Sequence, residues 1–139
     1  MLLSEVMKVL VVEDEPINMT LFTFILKHNG HDAIEAFTGA EGIAKTFDSK
    51  PDIVLMDLRL PDMDGFEVTR RIRKTNKYVP IIAVTSYTMD DIREKYENEQ
   101  FNGYIQKPIN PSTIVDEIKK MLNEQVNYQQ RSRPSIAIY

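Results

Sequence analysis

The chain has no cysteine, no long apolar run and no excess of positive charge. Without cysteine, disulfides, thiolate chemistry and thiolate metal sites are all excluded. No apolar stretch approaches the roughly 18 residues that span a bilayer, and residues 1–7 lack the basic and apolar regions of a secretory signal. A formal net charge of -4 gives no general attraction to nucleic acid. The sequence therefore predicts a cytoplasmic protein that binds neither nucleic acid nor a membrane.

What the chain does have is the composition of one folded domain. Its 139 residues are 42% hydrophobic and 27% charged, which is the balance of a globular chain rather than a disordered one. This length fits a single sizeable core. The apolar pattern begins near Met7 and ends near Val126. We therefore predict an N-terminal extension over residues 1–6, one domain over residues 7–125 and a mobile tail over residues 126–139.

Five short apolar runs alternate with helical patterns along this domain. Several runs lack polar alternation, which is typical of parallel strands buried on both faces of a sheet. Five strand-then-helix units predict an α/β domain that is doubly wound, with right-handed crossovers. The predicted strands are Lys8–Val12, Ala33–Phe37, Ile53–Met56, Pro80–Thr85 and Gly103–Gln106.

Start and stop signals of helices lie between these runs. Pro16 stands at a first helical position, and Gly30 ends the helix that it begins. Thr38 and Glu41 have the spacing of a capping box. Further helices are predicted after Gly65, over Asp90–Asn98 with Thr88 or Ser86 as cap, and after Asn110 with Pro111 first. The third helix and its exit carry a basic stretch that we interpret as a solvated face, namely Arg70, Arg71, Arg73, Lys74 and Lys77.

Polar side chains end or directly follow four of the predicted strands. Glu13 and Asp14 follow the first strand, and Asp57 follows the third. Thr85 ends the fourth strand, and Lys107 follows the fifth. The carboxyl ends of parallel strands lie at one edge of the sheet, where ligands bind at the point at which strand order reverses. We therefore expect these five side chains to converge.

The chemistry of this set points to a phosphoryl and metal site. Three carboxylates and one ammonium sum to a formal charge of -2. Two carboxylates about 5 Å apart repel by roughly 3 kcal/mol at an effective dielectric near 20, so the cluster should hold a proton or bind a divalent cation. Oxygen ligands alone favour Mg²⁺ or Mn²⁺. Asp57 is the expected nucleophile, because carboxylates form acyl phosphates. Lys107 would neutralise phosphoryl charge and Thr85 would donate its hydroxyl.

These residues, in order and spacing, resemble the receiver domain of two-component response regulators. The resemblance runs from about Met7 to Glu124. It implies a (βα)₅, flavodoxin-like fold with strand order 2-1-3-4-5. The residues that carry it are Glu13-Asp14, Asp57 with Pro61 and Gly65 downstream, Thr85, Tyr104 and Lys107-Pro108.

The resemblance also implies how the site works. Asp57 would accept a phosphoryl group from a phosphohistidine on a sensor histidine kinase or a histidine phosphotransfer protein. Mg²⁺ would be held by Asp14, Asp57 and the backbone carbonyl of Arg59. Glu13 would act on the metal through water.

By the same resemblance, Thr85 and Tyr104 would form a switch pair. A phosphoryl group draws the Thr85 hydroxyl inward, and Tyr104 then rotates from solvent into the interior. This changes the face made by the fourth helix, fifth strand and fifth helix, which a downstream protein would recognise. The Lys107–Pro108 peptide bond is expected to be cis. The residues that would flank the phosphoryl group are Arg59, Ser86, Tyr87 and Pro108; Arg59 and Tyr87 are large, which predicts slow loss of that group.

Three classes of function are compatible with the sequence. The leading one is a response regulator that acts as a monomer or weak dimer. It would be a phosphoryl-controlled interaction module rather than a turnover enzyme. Two variants of this class stay open, a phosphorelay shuttle and the receiver of a hybrid kinase. An aspartyl-phosphate hydrolase would carry a second Asp two positions after the nucleophile, where this chain has Arg59. A flavin- or nucleotide-binding module would need a glycine- or hydroxyl-rich loop where this chain has Glu13-Asp14-Glu15-Pro16.

Overall fold

A computed structural model describes residues 6–132 of the chain, and the side chains as far as Glu124. Five parallel strands form one sheet in the order 2-1-3-4-5, so the predicted fold is confirmed. Within the described range, no helix combines the length and the apolar character needed to cross a membrane. The strands are β1 (Lys8–Val12), β2 (Asp32–Ala36), β3 (Ile53–Met56), β4 (Ile81–Thr85) and β5 (Gly103–Gln106). The helices are α1 (Pro16–His28), α2 (Gly39–Ser49), α3 (Gly65–Thr75), α4 (Met89–Asn98) and α5 (Ile114–Ser132).

The two faces of the sheet carry separate hydrophobic cores. Alternate residues of β1 point to opposite faces: Val9 and Val11 pack with α1 and α5, and Leu10 and Val12 pack with α3. Strands buried on both faces read as continuous apolar runs in sequence. This is why the buried strands β1, β3 and β4 were predicted to within one residue at each end. The two edge strands, β2 and β5, are less buried and were also predicted to within one residue. A third, aromatic-rich cluster lies under α4, where Ile92 is the one buried residue among the ten of that helix.

Side-chain caps begin the helices much as the sequence predicted. Pro16 is the first residue of α1, and the Glu15 carboxylate accepts from the Ile17 N–H. Thr38 caps α2, and Thr88 rather than Ser86 caps α4. Each cap supplies an acceptor for an N–H that the first helical turn leaves without a partner.

The last helix begins three residues later than predicted. Asn110 Oδ1 accepts a hydrogen bond from the Ser112 N–H, as a capping side chain does. Residues 111–113 nevertheless form a turn, and α5 begins at Ile114. The helix then continues to Ser132, past position 125 where the domain was predicted to end. No glycine or proline occurs between residues 114 and 132 to stop it. The mobility of the predicted tail stays a prediction, and residues 1–5 and 133–139 lie outside the described residues.

The interpretation of the basic stretch as a solvated face is wrong for Arg73. This side chain is buried, and its guanidinium donates to the carbonyl oxygens of Val79 (2.7 Å) and Gln100 (2.9 Å) and to Asn102 Oδ1 (2.7 Å). It joins the end of α3 to the start of β4 and to the α4–β5 turn. Sequence pattern alone treats a charged residue as exposed, and this one is buried because backbone acceptors surround it.

Candidate functional site

Asp57 lies where β3 breaks into a loop, at the carboxyl edge of the sheet. Its N–H donates to the Val12 carbonyl (3.0 Å), and its side chain is 8% exposed. The Arg59 N–H donates to Asp57 Oδ1 (3.0 Å), which orients the carboxylate. The following loop closes tightly, because a Cβ on Gly65 would collide with the Asp57 carbonyl and with Leu58 Cα. The loop therefore requires glycine at its end and holds Asp57 in one place.

Lys107 joins two of the predicted acids. Its Nζ donates to Glu13 Oε1 (2.7 Å) and to Asp57 Oδ2 (3.1 Å), although 94 and 50 positions separate these residues in the chain. The side chain of Glu13 is 2% exposed and that of Lys107 is 20% exposed. An ammonium group thus lies between two carboxylates at a largely dehydrated strand edge. Sequence predicted that these groups converge but not that Lys107 pairs with both acids at once.

The three consecutive acids after β1 have separate roles. Glu13 points inward to Lys107 and also accepts from the Glu15 N–H (3.1 Å). Asp14 is exposed, and Glu15 caps α1. Carboxylate oxygens of Glu13, Asp14 and Asp57 all lie within 4.8 Å of one another. A cluster of hard oxygen donors with one exposed member fits Mg²⁺, which binds by one or two carboxylates and keeps water on its open side.

Burial and charge shift the protonation of the paired groups. Burial raises the pKa of Glu13, and the negative charge of Asp57 raises it further, while the hydrogen bond from Lys107 opposes both effects. Burial alone would lower the pKa of Lys107, but the hydrogen bond to Glu13 and the charge of Asp57 outweigh it and raise the pKa above its ordinary value. The ammonium therefore keeps its proton, and the excess negative charge of the cluster falls on the acids.

The cluster opens into a cleft of about 460 Å³. Ser86 lines this cleft, as predicted for a residue flanking the site, whereas Asn18 on the first turns of α1 was not foreseen. Its place three residues after the cap Glu15 could have indicated it, because the start of α1 follows directly from the acidic turn. The cleft is lined by Glu13, Asp14, Glu15, Asn18, Asp57, Arg59, Leu60, Pro61, Ser86 and Lys107.

A second hollow adjoins the cleft on its α1 side. It encloses about 350 Å³ and shares Asn18, Ser86 and Lys107 with the cleft. Pro108 lines it, and the Lys107–Pro108 peptide bond is cis as predicted. Pro108 thus borders the site through this hollow rather than through the acidic cleft.

Thr85 and Tyr104 are brought together through Tyr87. Thr85 is buried, and its Oγ1 accepts from the Tyr87 N–H (3.2 Å). Tyr104 is half-buried, and its hydroxyl donates to the Tyr87 carbonyl. The Tyr87 side chain lies against Arg59, whose Nε donates to the phenol oxygen (3.0 Å) and whose Cζ lies 4.7 Å from the ring centroid. Sequence predicted all four residues near the site but not this arrangement.

Asp62 is a further residue of the site loop that the sequence did not single out. Its two carboxylate oxygens accept from the Gly39 and Ala40 N–H groups, at 2.8 and 2.9 Å. These bonds lower the pKa of Asp62. The carboxylate caps α2 from a distance of more than twenty positions, and it ties the loop after Asp57 to the start of that helix. Such a long-range cap has no local sequence signature.

Comparison with known proteins agrees with this geometry. The family model of the response regulator receiver domain matches residues 9–119, which is most of the chain. The chain belongs to the response regulator receiver family. Members of this family are regulatory phosphoacceptors that work with histidine kinases and downstream targets.

Individual relatives support the same assignment. The polar-differentiation response regulator DivK of Brucella anthropi is 32% identical over 118 residues, covering 84% of this chain and 96% of that protein. The CheY-like receiver domain protein of Methanospirillum hungatei has a TM-score of 0.81 at 30% identity, covering 89% of this chain and 99% of that one. The receiver domain of a sensor histidine kinase from Pseudomonas aeruginosa has a TM-score of 0.78 at 29% identity, covering 86% and 99%; that structure holds a magnesium ion in its active-site cleft.

Proposed function

We propose that this chain accepts a phosphoryl group on Asp57 from a phosphohistidine of a histidine kinase or a histidine phosphotransfer protein. An Asp57 carboxylate oxygen attacks the phosphorus, the bond between phosphorus and the imidazole nitrogen breaks, and the histidine leaves with that electron pair. Protein carboxylates form such acyl phosphates as covalent intermediates. The observation that carries the proposal is Lys107 Nζ, which contacts Glu13 and Asp57 at once beside the open cleft.

Lys107 would offset negative charge, first on the reacting groups and then on the phosphorylated product. Its pKa is raised, so it carries a full positive charge at neutral pH. Its Nζ lies 3.1 Å from Oδ2 of Asp57, the carboxylate that would form the new bond to phosphorus. An ammonium at this position offsets the charge of an incoming phosphoryl group, and it is held there by Glu13. Glu13 is therefore a positioning residue for Lys107 as well as part of the acidic cluster.

The acidic cluster fits a resident Mg²⁺, and Mn²⁺ would satisfy the same donors. Asp14, Asp57 and the backbone carbonyl of Arg59 would hold the metal, with Glu13 acting through water. When bound, the ion neutralises charge on the phosphoryl oxygens. In its absence the carboxylates repel one another, and the charge of Asp57 adds to the effect of burial in raising the pKa of Glu13.

The output of the proposed reaction is a change of surface. When the Thr85 side chain turns toward a phosphoryl group, its Oγ1 no longer accepts the hydrogen bond from the Tyr87 N–H. Tyr104 contacts the carbonyl of the same residue, so the two proposed switch residues share one neighbour. The face formed by α4, β5 and α5 then differs between the two forms, and a downstream protein that prefers one form shifts the population toward it. The proposed role is regulatory, with no external product turned over.

Incubation with acetyl phosphate and Mg²⁺, followed by intact mass measurement, tests this function. We expect the wild type to gain one phosphoryl group, and to gain none when a chelator replaces Mg²⁺. Asp57→Asn should gain none. Asp90→Asn is the matched control, since Asp90 is an exposed acid on α4 with a side chain 94% exposed, and it should behave as wild type. Repeated hydrolysis of small phosphate esters by the wild type would instead favour a hydrolase.

A further inference from the structure

Arg59 makes contacts on both sides of the proposed phosphoryl site. Its backbone N–H donates to Asp57 Oδ1 (3.0 Å), and its side chain lies on Tyr87, with Nε bonded to the phenol oxygen (3.0 Å) and Cζ 4.7 Å from the ring centroid. Arg59 also lines the acidic cleft. One residue thus contacts the acceptor carboxylate through its backbone and Tyr87 through its guanidinium.

Most N–H donors of the Arg59 guanidinium have no hydrogen-bond partner among residues 6–124. In the range from residue 6 to 124, no carboxylate oxygen lies within 4.0 Å of it, and Nε is the one nitrogen with a hydrogen bond. A guanidinium carries five N–H donors, so the two terminal nitrogens still have four to offer. The present partners of Arg59, a neutral phenol and a ring face, are weak acceptors compared with an anion.

Tyr87 is contacted at three separate groups. Its side chain holds Arg59, its N–H donates to Thr85 Oγ1 (3.2 Å), and its carbonyl accepts from the Tyr104 hydroxyl. Any movement of Tyr87 that includes its backbone would therefore alter its hydrogen bonds with both Thr85 and Tyr104. The chain of contacts runs from Asp57 through Arg59 and Tyr87 to Thr85 and Tyr104.

We propose that the Arg59 side chain leaves Tyr87 and binds the phosphoryl group when Asp57 is phosphorylated. Its guanidinium gives up the neutral phenol and ring of Tyr87 for the phosphoryl oxygens, which are stronger acceptors because they carry negative charge and which a guanidinium can bind with two parallel hydrogen bonds. Tyr87, released from Arg59, adjusts its backbone contacts with Thr85 and Tyr104. This inference rests on the proposed phosphorylation of Asp57, and it adds a second route by which that event reaches the switch pair.

The side-chain Nε–Hε signal of Arg59 in nuclear magnetic resonance reports its partner directly. The experiment records this signal and the ring signals of Tyr87 before and after Mg²⁺ with beryllofluoride, an analogue of the phosphoryl group. Tyr87→Phe removes the phenol acceptor but keeps the ring, so the Arg59 signal of the free variant should move toward that of a solvent-exposed arginine. Arg59→Gln removes the guanidinium, and Arg93→Gln is the matched control, an exposed arginine on α4 with a weak local ion pair at 3.6 Å.

We expect beryllofluoride to shift the Arg59 Nε–Hε signal in the wild type and in Arg93→Gln, and to shift the Tyr87 ring signals together with it. In Arg59→Gln, the Tyr87 ring shift that beryllofluoride produces should fall to less than half of its wild-type size. An unchanged Arg59 signal in a wild type that gains phosphoryl mass overturns this inference alone. A full Tyr87 shift in Arg59→Gln overturns it as well. A wild type that gains no phosphoryl mass overturns the proposed function and this inference together.

Discussion

Replacing Lys107 by methionine should destabilise the protein in a pH-dependent way. The change keeps the length of the side chain but removes the ammonium that pairs with Glu13 and Asp57. Breaking a buried pair from one side leaves unpaired charge and costs about 3–5 kcal/mol. Lys107 is 20% exposed, so we take the lower end, about 3 kcal/mol in metal-free buffer. For a domain of this size the melting temperature would fall by roughly 10 °C.

The pH dependence follows from Glu13. Its pKa is already raised by burial, with the charge of Asp57 adding to it, and the hydrogen bond from Lys107 works against that rise. Without Lys107 the folded-state pKa of Glu13 rises further, so at lower pH the folded protein takes up a proton and relieves the cost. We therefore expect a larger loss of unfolding free energy at pH 8 than at pH 5. Chemical denaturation at both values, with a chelator present, measures it.

Two comparisons make the Lys107→Met test specific. Lys120→Met changes an exposed lysine of α5 and should leave the unfolding free energy nearly unchanged at both pH values. Glu13→Gln introduced into the Lys107→Met background should restore part of the lost stability at pH 8, because it removes the charge that was left unpaired. An equal loss at both pH values, or no recovery in the double variant, would refute the electrostatic reasoning.

Further predictions concern the stability of the protein and the lifetime of the phosphoryl group. In metal-free buffer, Asp57→Asn should raise the melting temperature, because it relieves repulsion within the acidic cluster; calorimetry showing an unchanged or lower value would contradict this crowding. Arg73→Met should lower the unfolding free energy by about 3 kcal/mol, because it leaves buried carbonyl groups without donors, and denaturant titration measures this. Burial lowers the pKa of His31, so stability should fall as pH drops below the ordinary value of 6.5, and His31→Gln should flatten that slope in melting curves. Phosphorylated wild type should lose its phosphoryl group more slowly than an Arg59→Ala, Tyr87→Ala double variant, as followed by intact mass; faster loss from wild type would count against screening of the site.

The sign of the His31 effect comes from its surroundings. Its Nδ1 accepts from the Met7 N–H (3.0 Å), so this nitrogen carries no proton in the folded state. The unfolded chain binds a proton below pH 6.5 that the folded state resists, with Lys119 nearby opposing the charge and Asp32 favouring it. A melting temperature that is constant between pH 7 and the onset of acid unfolding would show that His31 does not titrate in this way.

The strands and the convergence of the site were predictable because both follow from short-range pattern and from general geometry. Continuous apolar runs mark strands that are buried on both faces. Once the strands are parallel, their carboxyl ends lie at one edge, so Glu13, Asp57 and Lys107 are all placed at that edge. Neither inference needs knowledge of side-chain packing.

What could not be predicted depends on long-range contacts. Arg73 is buried because the carbonyl groups of Asn76 and Val79, just past its own helix, and of the distant Gln100 surround its guanidinium. No local sequence pattern indicates the contact with Gln100. Asp62 caps a helix that begins 23 positions earlier in the chain. Tyr87 contacts Arg59 on the loop after β3, Thr85 at the end of β4 and Tyr104 on β5, and these contacts depend on how the elements pack. In the proposed function, the contacts of Tyr87 link the phosphoryl site to Thr85 and Tyr104.

The most direct test of the account is the position of the phosphoryl group itself. Protein treated with acetyl phosphate and Mg²⁺ is reduced with borohydride, which attacks acyl phosphates selectively, and the altered residue is located by tandem mass spectrometry. We predict a single altered residue, Asp57. Modification at Glu13, Asp14 or any other position, with Asp57 unchanged, would contradict the central claim.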